Sequence, residues 1–129
     1  MPIEIERGPA LKDVEKAWGN ELWIANRNGY CGKLLYIMPK HTCSVHMHPV
    51  KAESFMCLAG IVYVDEGNGA GYNLGLYDTV HIPPGTYHRF VNYGNDPALL
   101  VEFSTTHDDA DVVRKTESGM IQDEMPDDI

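Results

Sequence analysis

The sequence contains no apolar run that approaches the roughly 18–20 residues that a transmembrane helix requires. Residues 1–16 alternate charged with apolar side chains, and they contain no hydrophobic block of the kind found in signal peptides. We therefore expect a cytoplasmic protein that does not associate with a membrane.

Basic residues are also scarce, with 10 Lys+Arg against 19 Asp+Glu and a formal net charge of −9 over 129 residues. A nucleic-acid partner is excluded on this ground, because phosphates must be neutralised by clustered cations. Eight of the acidic residues but only two of the basic ones lie in residues 108–129. Most of the net negative charge therefore lies in residues 108–129. It does not argue against binding of an anionic ligand by residues 1–107.

Cysteine is present at only three positions, Cys31, Cys43 and Cys57, and no CxxC pair occurs. An odd number without that pairing is typical of reduced thiols and not of a disulfide framework. This agrees with the expected cytoplasmic location.

What the sequence does contain is a series of short β-prone segments separated by Gly, Pro and Asn turns. Their number and spacing predict an all-β sandwich or barrel in a single domain, residues 1–129. Residues 11–18 could form a helical turn or two. We expect the last ten or so residues to be mobile. The predicted strands are residues 21–26, 33–38, 42–48, 54–58, 61–64, 79–82, 88–92 and 98–104.

One stretch carries a candidate metal site. His46 and His48 are two apart, so on a strand both imidazoles point to the same face. Glu53 follows a bend that contains proline, and His88 follows the turn at residues 83–85. Three nitrogens and one carboxylate suit Mn, Fe, Co, Ni or Zn and leave coordination positions open, as in a catalytic site.

Two charged residues are candidates for catalysis. Lys51 lies between His48 and Glu53, where it either points into the same cavity or is a solvated loop lysine. Glu102 interrupts an apolar segment, where a buried carboxylate requires a partner or a function. The alternative for Glu102 is an edge-strand position that faces water.

The full pattern resembles the two motifs of the cupin superfamily. His46-x-His48-x4-Glu53-x6-Gly60 matches the first motif, and Pro83-x-Gly85-x2-His88-x3-Asn92 matches the second. The resemblance implies a double-stranded β-barrel of the jelly-roll type over about residues 15–107, followed by an acidic segment, residues 108–129. It also implies that the metal ligands are His46, His48, Glu53 and His88.

Two positions depart from the cupin pattern, and three histidines fall outside it. Lys40 and Tyr77 occupy positions where the motifs usually have glycine, which puts the loop geometry in question more than ligation. The histidines that match no ligand position are His41, His81 and His107. We expect His81 to have a packing or surface role.

Further segments are similar to the D-lyxose isomerase family and, more loosely, to cupins of the mannose-6-phosphate isomerase type. They are residues 16–19, 21–26, 30–33, 46–53, 102–107 and 111–114. The resemblance implies aldose–ketose isomerisation at a divalent metal, with Mn preferred, a small sugar as substrate, and a homodimer. In this interpretation Glu102 moves the proton, and Lys51 donates to a substrate oxygen.

Two other functions stay open at this stage. The same ligands could hold Fe(II) in a cupin dioxygenase, or the chain could bind a sugar without turning it over. A phosphosugar would require cations, for which the candidates are Lys33, Lys40, Arg89 and Arg114. We favour an unphosphorylated sugar.

Overall fold

The computed structural model describes residues 2–68 and 70–122, and within them the regular secondary structure is almost entirely β-strand. One 3₁₀ helix of three residues, Gly8–Ala10, precedes the first strand. The strands are β1 Asp13–Lys16, β2 Gly19–Arg27, β3 Tyr30–Ile37, β4 His41–Thr42, β5 His46–Met47, β6 Glu53–Ala59, β7 Val62–Asp65, β8 Gly71–Leu74, β9 Thr79–Ile82, β10 Arg89–Asn92, β11 Ala98–Ser104, β12 Val113–Arg114 and β13 Gly119–Met120. The predicted all-β fold with little helix is confirmed.

The strands form two principal antiparallel sheets. The larger has the order β1-β2-β3-β11-β6-β9, and the smaller has the order β13-β4-β10-β7-β8. A two-stranded ribbon, β12-β5, accompanies them. Because β11 pairs with β3 on one side and β6 on the other, segments far apart in sequence are brought side by side.

The core lies between the two sheets and follows the two-residue period of the strands. The rings of Phe55, from the larger sheet, and Phe90, from the smaller, lie 4.6 Å apart between centroids. In β3, β6 and β11 the buried positions alternate with more exposed ones. Lys33, Glu53 and Glu102 are buried in this same alternation, so the inward faces of these strands also carry polar groups.

The prediction of a helical turn within residues 11–18 is wrong. Residues 13–16 form β1, which pairs with β2 in a tight hairpin that places Val14 opposite Glu21. A helix of one or two turns is marginal in water, so pairing with an adjacent long strand prevails. Among the helices that the structure describes, none is long and apolar enough to cross a membrane.

The two positions that lack the usual glycine keep a backbone conformation that favours glycine. Lys40 has φ of 62° and Tyr77 has φ of 69°, both in the left-handed region. For residues with a side chain this conformation costs roughly 1–2 kcal/mol. The turns are therefore formed with Lys and Tyr in place of glycine, at a local cost in strain.

The chain after residue 107 contributes strands to the fold. β12 pairs with β5, and β13 pairs with β4. The predicted mobile end begins at about residue 120, where Met120 pairs with His41. Its remaining part, residues 123–129, lies outside the described residues.

Candidate metal centre and the adjoining lysine cluster

Three histidines converge at one end of the cavity between the sheets. His46 lies on β5, His48 follows it, and His88 precedes β10. His46 and His88 face each other across an isolated antiparallel bridge. Each backbone N–H donates to the other residue's carbonyl, with N to O distances of 3.0 and 2.9 Å. One ring nitrogen from each histidine lies within 4.8 Å of the other two, a spacing that suits a metal ion.

Each of the three imidazoles is held by a backbone carbonyl. Nδ1 of His46 donates to the carbonyl of Ser44 at 2.7 Å, and Nδ1 of His88 donates to that of Thr86 at 2.9 Å. Nδ1 of His48 donates to the carbonyl of Asp111 at 2.6 Å. A carbonyl oxygen only accepts, so each Nδ1 carries the hydrogen and each neutral ring keeps its lone pair on Nε2.

Glu53 completes the donor set from the start of β6. Its Oε1 lies 3.0 Å from His48 Nε2, and its Oε2 lies 3.4 Å from His88 Nε2. Among the described residues, Glu53 Oε2 and His88 Nε2 are buried without a hydrogen-bond partner. An imidazole lone pair and a carboxylate oxygen at this distance repel each other unless a cation lies between them. The donor set therefore fits a divalent ion.

The protonation states agree with that fit. Burial and the neighbouring His88 lower the pKa of His46 to about 4, which leaves a neutral imidazole at pH 7. Burial alone would raise the pKa of Glu53, but the ammonium of Lys51, 2.8 Å from its Oε1, holds that pKa below its usual range. Neutral imidazoles and an ionised carboxylate are the forms that bind metals.

Lys51 enters the cavity next to this cluster. It is 3% exposed, so the alternative of a solvated loop lysine is wrong. Its Nζ lies 2.8 Å from Glu53 Oε1, 3.4 Å from Glu102 Oε2 and 3.1 Å from His107 Nδ1. Burial opposes the charge, but Glu102 and Glu53 outweigh it and raise the pKa of Lys51.

Glu102 is 3% exposed, and its strand β11 lies inside the sheet, so the alternative of an edge-strand residue facing water is also wrong. Cross-strand pairing sets it beside Lys33 on β3 and Phe55 on β6. Its Oε2 accepts a hydrogen bond from Ser104 Oγ at 3.0 Å as well as the contact from Lys51. We call Lys51, Glu102 and His107 the lysine cluster.

The cavity has a volume of about 140 Å³ and combines these polar groups with an apolar lining. Lys33, 1% exposed, also faces it and lies 3.3 Å from Glu21 Oε1, with its Nζ 4.3 Å from the ring centroid of Trp23. Glu21, with a pKa lowered against the effect of burial by Lys33 and Lys16, remains ionised. The apolar lining residues include Trp18, Leu35, Ile37, Phe55 and Phe90.

Of the four candidate phosphate partners, two do not line this cavity. Arg89 pairs with Asp65 at 3.0 Å, and Lys40 Nζ donates to the carbonyl of Tyr93. Lys33 and Arg114 do line it. His81 is exposed and contacts Ser54 Oγ at 2.7 Å, which agrees with the expected surface role.

Two residues near the site were missed or set aside by the sequence reasoning. His107 contacts Lys51, although it matches no motif position. Asp111 accepts hydrogen bonds from the backbone N–H groups of Val50 and Lys51, both at 2.9 Å, and thereby fixes the loop that carries Lys51. The available signal was the length of the resemblance, which continues through residues 102–107 and 111–114.

Comparison with known families decides the classification. Residues 33–104 match the cupin domain family. The chain belongs to the cupins. Those residues contain His46, His48, Glu53 and His88 but not the segment that supplies His107 and Asp111.

Curated relatives include two sugar isomerases. The D-lyxose ketol-isomerase of Cohnella laeviribosi is 33% identical over 65% of this chain and 60% of that enzyme. The D-lyxose/D-mannose isomerase of Thermosediminibacter oceani is 30% identical over 77% of this chain and 68% of that enzyme. The cupin thus spans about 60% of the length of the first relative and resembles D-lyxose isomerases.

Another relative is a larger enzyme. A mannose-1-phosphate guanylyltransferase of Salmonella typhimurium is 27% identical over 73% of this chain but over only 19% of its own length. Among solved structures, an RmlC-like cupin from Shewanella frigidimarina gives a TM-score of 0.70 at 13% identity, with 84% of this chain and 96% of that chain covered. At that identity the similarity shows the cupin fold alone.

Proposed function

We propose that this cupin is a metal-dependent sugar isomerase that interconverts an aldose and a ketose. The observation that carries the proposal is the buried pair of Lys51 and Glu102, joined to the histidine cluster through Glu53. A carboxylate and an ammonium held beside a metal site are the groups that proton transfer between adjacent carbons requires. The resemblance to D-lyxose isomerases supports the same assignment.

His46, His48, His88 and Glu53 would hold the ion, which when bound would polarise the substrate oxygens as a Lewis acid. Mn is the preferred ion, and Zn, Fe, Co and Ni are alternatives that the same nitrogen and oxygen donors accept. Glu102 takes the proton from one of the two reacting carbons and returns it to the other. Lys51 donates a hydrogen bond to the substrate oxygen where negative charge develops.

The substrate in this proposal is an unphosphorylated sugar of the lyxose or mannose type. Lys51 is matched by Glu53 and Glu102, and Lys33 is matched by Glu21. Cations that already have carboxylate partners offer little to a phosphate, whereas paired charges of both signs can bind hydroxyl groups. Arg114 is exposed and lines the cavity, so sugar phosphates belong in the substrate panel.

The proposal is tested by elemental analysis of the purified protein, followed by assays of aldoses, ketoses and their phosphates with Mn²⁺ restored. We expect turnover of a free pentose or hexose. Replacing Glu102→Gln should lower kcat by roughly 10²–10⁴-fold while metal content is unchanged. Glu66→Gln, which alters an exposed carboxylate, serves as the matched control. Equal turnover by E102Q and wild type would overturn the mechanism.

A second candidate is a cupin that binds sugars without catalysis. It is favoured by Lys40 and Tyr77, which hold left-handed turns at positions where the cupin motifs usually have glycine. Bound metal, together with saturable sugar binding and no turnover across the panel, would support this candidate. Oxygen-dependent turnover would instead point to an oxidase.

The homodimer is also part of the proposal. The outer face of the larger sheet exposes Ile24, Tyr36 and Phe103, so a second copy could cover an apolar surface. Light scattering of the wild type and of Tyr36→Lys tests this, and a monomeric wild type would exclude the dimer. Cysteines that are all free and buried support a cytoplasmic location.

A further inference from the structure

The ammonium of Lys51 has three hydrogens and three acceptors around it. Two acceptors, Glu53 and Glu102, are carboxylates with roles in the proposed function. The third is Nδ1 of His107, at 3.1 Å, which has no role so far. The contact with Glu102, at 3.4 Å, is the longest of the three, so its hydrogen is the most readily redirected to a bound substrate.

The partners of His107 assign its tautomer. Its Nε2 lies 2.7 Å from Asp109 Oδ1, and a carboxylate only accepts, so Nε2 carries the hydrogen. Lys51 only donates, so Nδ1 must present its lone pair to the ammonium. The two contacts require the same tautomer, which Asp109 stabilises from the opposite side of the ring.

The surroundings of His107 hold this arrangement in place. Asn26 on β2 exchanges two hydrogen bonds with the backbone of His107, at 3.0 and 2.8 Å. The ring meets Trp23 edge-on, with 5.2 Å between centroids. Burial and the charge of Lys33 lower the pKa of His107 although Asp109 opposes them, so the ring is neutral at pH 7.

We propose that His107 and Asp109 form a positioning pair that orients the ammonium of Lys51. His107 and Glu53 hold two of its hydrogens, and the third is left for Glu102 and the substrate oxygen. This inference rests on the proposed function for its effect on catalysis, but the orientation itself exists whether or not the protein turns over a sugar. The pair lies outside the residues 33–104 that match the cupin family.

The orientation is tested first without substrate, by nitrogen-15 NMR of the protein loaded with Zn²⁺, a diamagnetic ion that leaves nearby signals sharp. We expect the His107 ring to show the Nε2–H tautomer and the Lys51 ammonium to give a signal protected from exchange with water. Asp109→Ala should mix the tautomers and weaken that signal. Asp109 is 84% exposed, so this change should not unfold the protein. Asp96→Ala, another exposed carboxylate, is the control and should change neither signal.

Catalysis supplies the second test, through a rescue. His107→Leu removes the acceptor and should lower kcat by about 10²-fold, the cost of a small misplacement of a reacting group, with KM and metal content little changed. His107→Asn places an amide oxygen near the former Nδ1 and should recover most of the loss. Asp109→Ala should lie between wild type and His107→Leu.

The outcomes separate this inference from the proposed function. An Nδ1–H tautomer in the wild type, an unprotected Lys51 ammonium, or equal kcat for the Leu and Asn variants would overturn the positioning pair. If the wild type turns over no sugar, the proposed function fails, and the NMR signals of wild type and Asp109→Ala then decide the positioning pair alone.

Discussion

The histidine cluster and the lysine cluster lie side by side in the cavity, but different kinds of contact fix their side chains. The imidazoles of His46, His48 and His88 are anchored by backbone carbonyls. The lysine cluster is held by side chains, with Lys51 bound by Glu53, Glu102 and His107. Backbone anchors persist when a neighbouring side chain is replaced, whereas side-chain anchors are lost one by one. The histidine cluster should therefore tolerate substitutions around it, and the lysine cluster should not.

The largest effect is expected at Glu53, because it is the residue that touches both clusters. Glu53→Gln removes a charge that lies within 3.4 Å of two histidines and 2.8 Å from Lys51. Both metal content and sugar turnover should fall to background, since the donor set loses its anion and Lys51 loses a partner. Elemental analysis and the sugar assay measure this, again with Glu66→Gln as control. A variant that keeps its metal would place Glu53 in the lysine cluster alone.

The next largest effect is expected at Lys51, where replacement should impair the lysine cluster and leave metal binding intact. Lys51→Met puts a shorter apolar side chain in place of the ammonium and leaves the buried Glu102 without its cation, which should cost roughly 3–5 kcal/mol of stability. The kcat should fall by roughly 10²–10⁴-fold, while the metal content of the folded protein stays at the wild-type level. Denaturation curves, elemental analysis and assays on the same sample compare these three quantities. Loss of metal in this variant would contradict the independence of the two clusters.

A smaller effect is expected at Asp111, which supports the loop between the clusters. Asp111→Ala removes two hydrogen bonds to backbone N–H groups and should cost about 1–3 kcal/mol, with a moderate loss of kcat. Metal content should persist, because His48 is bound by the backbone carbonyl of residue 111 and not by its side chain.

Asp108→Ala provides a matched control for that change. Asp108 caps the N–H of Ala110 in the same segment, and within the described residues its side chain makes no hydrogen bond to the loop of Lys51. It should lose some stability and keep kcat. If both variants lost the same activity, the loop support by Asp111 would not be specific.

The smallest effect is a pH dependence that originates in the lysine cluster. The pKa of His107 is lowered in the folded state by burial and by Lys33, so the unfolded chain takes up a proton first as the pH falls through about 6.5. His107 therefore contributes stability that is present above that pH and is lost below it. Urea denaturation at several pH values between 5 and 8 measures this. The free energy of unfolding should fall less steeply with decreasing pH in His107→Asn than in the wild type. An equally steep fall in both proteins would assign the loss of stability at acid pH to other groups.

Much of the fold and of the histidine cluster could be predicted from the sequence. Strand alternation places His46 and His48 on one face, and the motif spacing brings Glu53 and His88 into the same set. These are local rules, since each motif is a short segment with its own turn. The predicted set of three histidines and Glu53 does lie together, although its role as a ligand set stays a prediction.

The rest of the site depends on contacts between distant segments. His107 contacts Lys51 across 56 positions, and Asp111 reaches the loop at Val50 across 61. Asp111 lies in an acidic segment rich in aspartate, and His107 directly precedes that segment. Nothing in this stretch of sequence distinguishes the two residues from those of a solvated tail. Composition reports the mean polarity of a segment, but it does not report which side chains turn inward.

The sequence by itself determined the all-β class and the shared face of His46 and His48, because these follow from periodicity and turn spacing. The cupin motifs, and with them the full set of residues that could bind a metal, came from resemblance to a known family. Tertiary structure alone decided that Lys51 and Glu102 are buried, that Lys33 is paired with Glu21, and that His107 completes the lysine cluster. The physical reason is the strand order. By placing β11 between β3 and β6, the fold brings charges from distant segments into one small cavity, where each must find a partner.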